Sequence, residues 1–218
     1  MRRVLLALAL SVPLAGALAP AVALTPAPAP LAGEERQAAW VERARSWLEG
    51  LGRFRARFTQ IGPDGAVATG TLWVWRPGRM RIEYDPPAQV LMVATDWRLV
   101  FHDAASGQTN VLPLSETPLA FLLGERIELD GRVRVVRVEE GPAEVALTVE
   151  DAERPGAGSI TLIFAREPFR LARWEVVDAQ GLTTVVLVDS IEPEAPMDRQ
   201  LFVWHDPRLW GDTTGIDR

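Results

Sequence analysis

The chain has 218 residues, enough for one domain with a sizeable core, and 23 basic against 29 acidic residues, a net charge of −6 that opposes binding to nucleic acid or anionic membranes. It contains no cysteine, which excludes disulfides, thiolate chemistry and lipid attachment through a thiol. All 23 basic residues are arginine, a bias that reads as genome composition.

Residues 1–23 have the organisation of a signal peptide. Arg2 and Arg3 form a basic start, an apolar run follows from Val4 to Leu18, and Ala21-Val22-Ala23 offers a small-residue cleavage site. Ala17-Leu18-Ala19 competes, although it would place Pro20 directly after the cut. An uncleaved anchor is the other reading, opposed by the shortness of the run and by Pro13 and Gly16 within it. Removing 1–23 leaves 21 basic residues against 29 acidic, a net of −8. Residues 24–33 are a Pro/Ala-rich lead, stiff over Thr25 to Pro30. The folded domain is expected over 34–210, with 211–218 as a C-terminal tail.

Within 34–50, Ala38, Val41, Ala44, Trp47 and Leu48 recur at three- and four-residue spacing, continued by Leu51, and Gly50 supplies a stop. This predicts an amphipathic helix. The period then changes to two. Arg53-Phe54-Arg55-Ala56-Arg57-Phe58 alternates strictly, with Phe54, Ala56 and Phe58 on one face and arginines on the other. Further strand patterns follow near 66–76, 79–84, 89–95, 97–103, 108–112, 132–140, 143–150, 158–165, 169–177, 182–191 and 200–204. Gly, Pro and Asp signals such as Pro77-Gly78 and Gly141-Pro142 separate them. About a dozen strands joined by short turns predict a meandering antiparallel sheet, curled into a barrel or half-barrel. One interval differs. Thr117 to Gly124 places Thr at a cap, Pro118 at the first helical position and Gly124 at the end, predicting a short, very apolar helix.

The residues that carry most chemistry are sparse. His102 and His205 have no metal-ligand spacing, and the pattern predicts no metal site and no cofactor. None of Ser46, Ser106, Ser115, Ser159 and Ser190 sits in a nucleophile elbow or near a histidine pattern. Asp96, Asp103 and Glu116 could pair in a cleft, but among 29 acids such pairings arise by chance. The chain is therefore expected to have no catalytic residues and not to be an enzyme, with a hydrolase as the catalytic rival.

Two apolar features remain. Leu72-Trp73-Val74-Trp75 is apolar on both faces, which fits either a strand buried on both sides or one lining a ligand cavity. Residues 118–123 are apolar all round and must be covered or must cover something, for instance the mouth of a curled sheet. Arg76 then stands at the rim, either as an exposed charge or as a five-donor fork that binds and releases the carbonyls of a lid.

Together these residues resemble the periplasmic outer-membrane lipoprotein carrier family of LolA type. The resemblance covers about 34–210 and rests on Phe54-Arg-Ala-Arg-Phe-Thr-Gln60, on Gly70 with Leu72-Trp-Val-Trp-Arg-Pro-Gly-Arg-Met-Arg-Ile-Glu-Tyr84 and Pro87, on Thr117-Pro118, on 178–184, and on Phe202 with Pro207. The Arg-Pro-Gly-Arg block is the most specific element. The chain departs from the family pattern at Met80 and Ile82, where aromatics are usual, and at Asp96-Trp97, where glycine commonly follows the polar residue.

The resemblance implies a mainly β fold, a single curved antiparallel sheet of about eleven strands forming an open half-barrel, with an N-terminal helix and a helical lid over a hydrophobic cavity. It implies a monomeric periplasmic chaperone that accepts acylated lipoproteins from an ATP-driven inner-membrane releasing complex of ABC type and delivers them to an outer-membrane acceptor. Arg76 matches the arginine that holds the lid. The expected acyl-binding cavity comprises Phe54, Phe58, Trp73, Trp75, Met80, Ile82, Met92, Leu119, Phe121, Leu122, Leu123 and Trp174, with either member of each alternating pair able to face inward. The alternative is a half-barrel sensor or interaction module that binds another hydrophobic ligand or a protein partner.

Overall fold

The computed structural model describes residues 33–117 and 120–205. The expected signal peptide and most of the Pro/Ala-rich lead, with Pro118, Leu119, Pro207 and the expected C-terminal tail, lie outside the described residues. Helix α1 (Gly33–Gly50) forms where the period of 3.6 predicts it. Glu34 and Glu35 occupy its first turn, where they face the positive end of the helix dipole. Ala44 and Leu48 are buried on its inner stripe, while Arg45 pairs with Glu42 (2.6 Å) and Glu49 (2.7 Å) across the outer turns.

Eleven strands follow: β1 (Arg53–Ile61), β2 (Val67–Trp75), β3 (Arg79–Tyr84), β4 (Val90–Thr95), β5 (Arg98–Asp103), β6 (Gln108–Pro113), β7 (Val133–Glu140), β8 (Glu144–Asp151), β9 (Gly158–Arg166), β10 (Phe169–Asp178) and β11 (Thr183–Pro193). They form one antiparallel sheet in the order β6-β5-β4-β3-β2-β1-β11-β10-β9-β8-β7. The first and last strands pair with each other, so the ends of the meander meet mid-sheet and β6 and β7 become the two edges. The sheet is open. Register shifts at Arg57/Phe58 in β1, Val135/Arg137 in β7 and Leu171/Arg173 in β10 are of the kind that bends a sheet.

The alternation seen in β1 separates two chemistries. On the outer face, Arg53 pairs with Glu194 (2.8 Å), Arg55 with Glu192 (2.7 Å) and Arg57 with Asp85, tying β1 to β11 and to the end of β3. These pairs are largely exposed, each worth at most about 1 kcal/mol, and fix register more than they stabilise. The inner face is apolar. Trp47 of α1 meets Phe164 edge-on at 5.7 Å, Phe164 stacks on Phe169 at 5.1 Å, and Trp40 stacks on Phe169 at 6.2 Å, which pins α1 to β9 and β10.

Two predicted elements differ. The pattern at 200–204 is not a strand. Arg199–Phe202 makes a 3-10 turn opened by the Asp198 carboxylate, which accepts from the Gln200 amide at 2.8 Å. Phe202 is buried there against Trp75, and that contact outweighs the apolar run's preference for a ladder. The predicted helix at 117–124 is only partly helical over its described residues: Ala120 is in a 3-10 turn, its amide donating to the Thr117 carbonyl at 3.2 Å, and 121–124 is a turn and a bend. Thr117 does not cap it. Its hydroxyl donates to the Leu114 carbonyl at 2.7 Å and so closes the preceding 3-10 turn, Leu114–Glu116.

Gly70 marks a close approach. It sits opposite both Phe58 and Tyr84, whose rings meet edge-on at 5.3 Å, and a Cβ there would stand 2.5 Å from the Phe58 ring and 2.5 Å from the Glu83 carbonyl. Gly70→Ala is expected to cost about 1–3 kcal/mol in chemical denaturation, and an unchanged midpoint would contradict this packing. Asp85, bonded by Arg57 and by the Thr69 hydroxyl (2.6 Å), has its carboxyl lowered to about 2. The folded value lies below the ordinary 3.8, so the stabilisation is present above about pH 4 and is lost as pH falls towards 2. The stability gap between wild type and Asp85→Asn should therefore narrow over that window in acid titrations.

Candidate functional site: an apolar cavity with an arginine latch

The concave face of the sheet does not close on itself. Between it, the end of α1 and residues 122–127 lies a cavity of about 270 Å³, just below the ~300–1,000 Å³ typical of ligand pockets. Phe54, Ala56 and Phe58 of β1, Leu72 and Val74 of β2, and Met80 and Ile82 of β3 form one wall. Ile160, Leu162, Leu171, Trp174, Val176, Val188 and Ile191 form the other. Trp47, Leu48, Leu51, Leu122, Leu123 and Ile127 form the cover. Arg76 is the one charged residue among the described lining.

Arg76 is there because α1 needs it. The last carbonyls of a helix have no partner within the helix and sit at the negative end of its dipole. α1 has no basic residue in its own last turn. The cation comes from the sheet instead: Arg76 Nη2 donates to the Leu48 carbonyl and to the Glu49 carbonyl (3.0 Å), and the Arg76 amide donates to the Gly52 carbonyl (2.9 Å). Burial pulls the guanidinium below its ordinary pKa, and the Glu49 carboxylate opposes that shift.

The same turn holds the other half of the cover. The Gly78 amide donates to the Leu123 carbonyl at 2.8 Å, and the Ile127 amide donates to Glu49 Oε1 at 3.1 Å. Glu49 Oε2 accepts from Arg45 at 2.7 Å. The β2–β3 turn, the end of α1 and residues 123–127 are therefore cross-tied by a few bonds at one end of the cavity. Gly78 takes a left-handed backbone (φ 73°), which a glycine adopts freely. At the neighbouring hairpin tip Asp96 (φ 48°) and Trp97 (φ 60°) adopt that region without glycine, leaving Trp97 56% exposed.

Of the residues expected in the cavity, Phe54, Phe58, Met80, Ile82, Leu122, Leu123 and Trp174 come together around it with Arg76. Trp73 and Trp75 do not. Leu72 and Val74 pair with Ile82 and Met80 and face inward, whereas Trp73 and Trp75 pair with Arg81 and Arg79 on the outer face. Trp75 is wrapped there by Arg53 (5.5 Å), Arg79 (5.9 Å) and Arg199 (5.5 Å). Met92 packs beside the cavity against a cluster of Met80, Ala94, Leu99 and Leu123 rather than in its wall. Phe121 is buried in the main core and borders a second, charge-rimmed depression of about 570 Å³ that includes Glu116, Arg132, Asp151 and Arg154. Leu119 lies outside the described residues.

The partner of Arg76 also differs from the expected one. Its guanidinium holds α1, while the apolar segment at 120–124 is held by the Gly78 amide. Trp47 and Leu48 of α1 and Leu51 just beyond its end, absent from the expected site, form part of the cover, and the apolar stripe of α1 continued by Leu51 was the available signal.

Comparison with known proteins identifies the family. The family model described as "Outer membrane lipoprotein carrier protein LolA" matches residues 49–205. A protein of Leptothrix cholodnii named outer-membrane lipoprotein carrier protein is 33% identical over 183 residues, covering 78% of this chain and 84% of its own. Proteins of the same name from Methylibium petroleiphilum (28% identical; 70% of this chain, 78% of its own) and Chromohalobacter salexigens (27%; 79% and 86%) align similarly. The chain belongs to the LolA family of outer membrane lipoprotein carrier proteins.

Proposed function

We propose that the chain is a periplasmic, non-enzymatic carrier that shelters the acyl chains of lipoproteins in the cavity beneath α1, with Arg76 controlling the cover. Membership of a carrier family supports binding rather than catalysis, and a location between two membranes. The single observation that carries the reading is an apolar cavity whose cover is fastened by a few bonds to one half-buried arginine.

Magnitudes fit a relay. Burial of an acyl chain is worth about 0.8 kcal/mol per CH₂, so a triply acylated anchor represents on the order of 30 kcal/mol and does not leave a bilayer unaided. In this reading the energy of extraction comes from an ATP-driven complex of the inner membrane, in keeping with a sequence that carries no phosphate-cradling loop. A cavity of about 270 Å³ is too small for several chains, so loading requires α1 and residues 122–127 to move outward. Each bond to the guanidinium is worth roughly 1.5–3 kcal/mol, less than a few buried methylenes. Loading can thus break the latch, and its tendency to re-form weakens net binding and favours delivery to an outer-membrane acceptor. In this reading Phe54, Phe58, Met80, Ile82, Leu122, Leu123 and Trp174 contact the chains, and residues 1–23 direct export.

The test is release from membranes. Purified chain is added to inner-membrane spheroplasts displaying an acylated lipoprotein, and the soluble fraction is assayed for a complex. A complex formed with acylated cargo alone, and dependent on ATP, supports the carrier reading; none with folded protein overturns it. Leu122→Glu places a charge in the cover and should abolish loading, whereas normal loading would remove that residue from the site.

A further inference from the structure

The apolar face of the sheet does not end at the cavity. Cross-strand pairs step along β9 and β10: Leu162 and Trp174 line the cavity, Ile160 and Val176 line both the cavity and the depression of about 570 Å³, and Gly158 and Asp178 border the depression alone. Each step of two residues advances the strand by roughly 7 Å and returns to the same face. The two spaces are therefore successive layers of one surface. The connection between the sheet edges separates them, with Leu122, Leu123 and Ile127 on the cavity and Phe121, Gly124 and Glu128 on the depression. Phe121, Val133, Val149, Ile160 and Val176 give the depression an apolar base. Its rim is charged. Glu116, Glu125, Glu128, Glu150, Asp151 and Asp178 stand there against three arginines, Arg126, Arg132 and Arg154. Asp151 engages two of these, Arg132 at 3.3 Å and Arg154 at 3.0 Å. Glu116, Glu125, Glu128 and Glu150 form no ion pair among the described residues, which leaves the rim with an excess of negative charge. An acyl chain gains nothing from such a rim, whereas a chain that carries cations on an apolar backbone matches both rim and base.

We propose that the depression holds the polypeptide that follows the acylated cysteine of a cargo, and that it prefers a segment bearing lysine or arginine to one bearing acids. This rests on the carrier reading and deepens it. Acyl chains occupy the cavity, the peptide leaves past Ile160 and Val176, and the free carboxylates of the rim meet its cations. The carrier reading by itself requires no preference among cargo sequences.

The test measures binding of the purified full chain to two triacylated lipopeptides, below their micellar concentrations, that differ only in a run of lysines or of glutamates after the cysteine. The expected result is a preference of about tenfold or more for the lysine form, shrinking as salt is added. Because the whole chain is acidic, the location of the effect decides. Glu125→Gln combined with Glu128→Gln should lower the preference several-fold. Glu34→Gln combined with Glu35→Gln makes the same charge change at the start of α1, away from both spaces, and should leave it unaltered. Equal binding of the two lipopeptides, or a preference that both double variants lower alike, overturns the proposal and leaves the carrier reading standing. The lysine peptide binding as tightly without its acyl chains also overturns it, and makes the depression a docking site for a basic protein partner. Binding of neither lipopeptide overturns the carrier reading and the proposal with it.

Discussion

The chain leaves β6 at one edge of an open sheet and re-enters as β7 at the other. That single topological constraint sends the described parts of the connection, 114–117 and 120–132, across the concave face. A connection over an apolar surface must itself be apolar on the side it covers, and Phe121, Leu123, Ile127 and Leu129 are buried accordingly. The cover is thus a consequence of pairing β1 with β11 in mid-sheet rather than an added domain. α1, arriving just before β1, completes it from the other side and is pinned by Trp40, Trp47, Phe164 and Phe169.

What the topology does not provide is a strong seal. The end of α1 is a set of orphan carbonyls over an apolar cavity, and the sheet answers with one guanidinium and a pair of turn amides. A seal of this size is small beside the burial energy of an acyl chain, yet large enough to bias an empty carrier towards closure. The difference between these two quantities is what the proposed reversible container requires, and it involves no catalytic group.

Much of the fold was readable from periodicity. The switch from 3.6 to 2 at Arg53 and the turn dipeptides between strands place α1 and β1 to β11 within a residue or two. Period two does not say which face is inward, however, and the large aromatics at Trp73 and Trp75 invited the wrong choice. The register of the Pro77-Gly78 hairpin resolves it, because it sets those tryptophans opposite Arg81 and Arg79. Arg76 was recognisable as a fork at a rim. Its partner was not, since the Leu48 carbonyl is 28 residues away in sequence and is brought close by packing of α1 on β9 and β10. Residues 200–204 misled for a similar reason: their apolar pattern serves burial of Phe202 on the outer face, not a ladder.

In the proposed carrier the end of α1 and residues 123–127 form one latch, opened by what enters the cavity. Hydrogen exchange at the amides of Arg76, Gly78 and Ile127, followed with and without a saturating triacylated lipopeptide, tests it most directly, since these amides bond to Gly52, Leu123 and Glu49 across the closure. The account predicts that all three lose protection together on loading, while β8 and β9 stay protected. Bound lipopeptide with unchanged protection at these amides would contradict it.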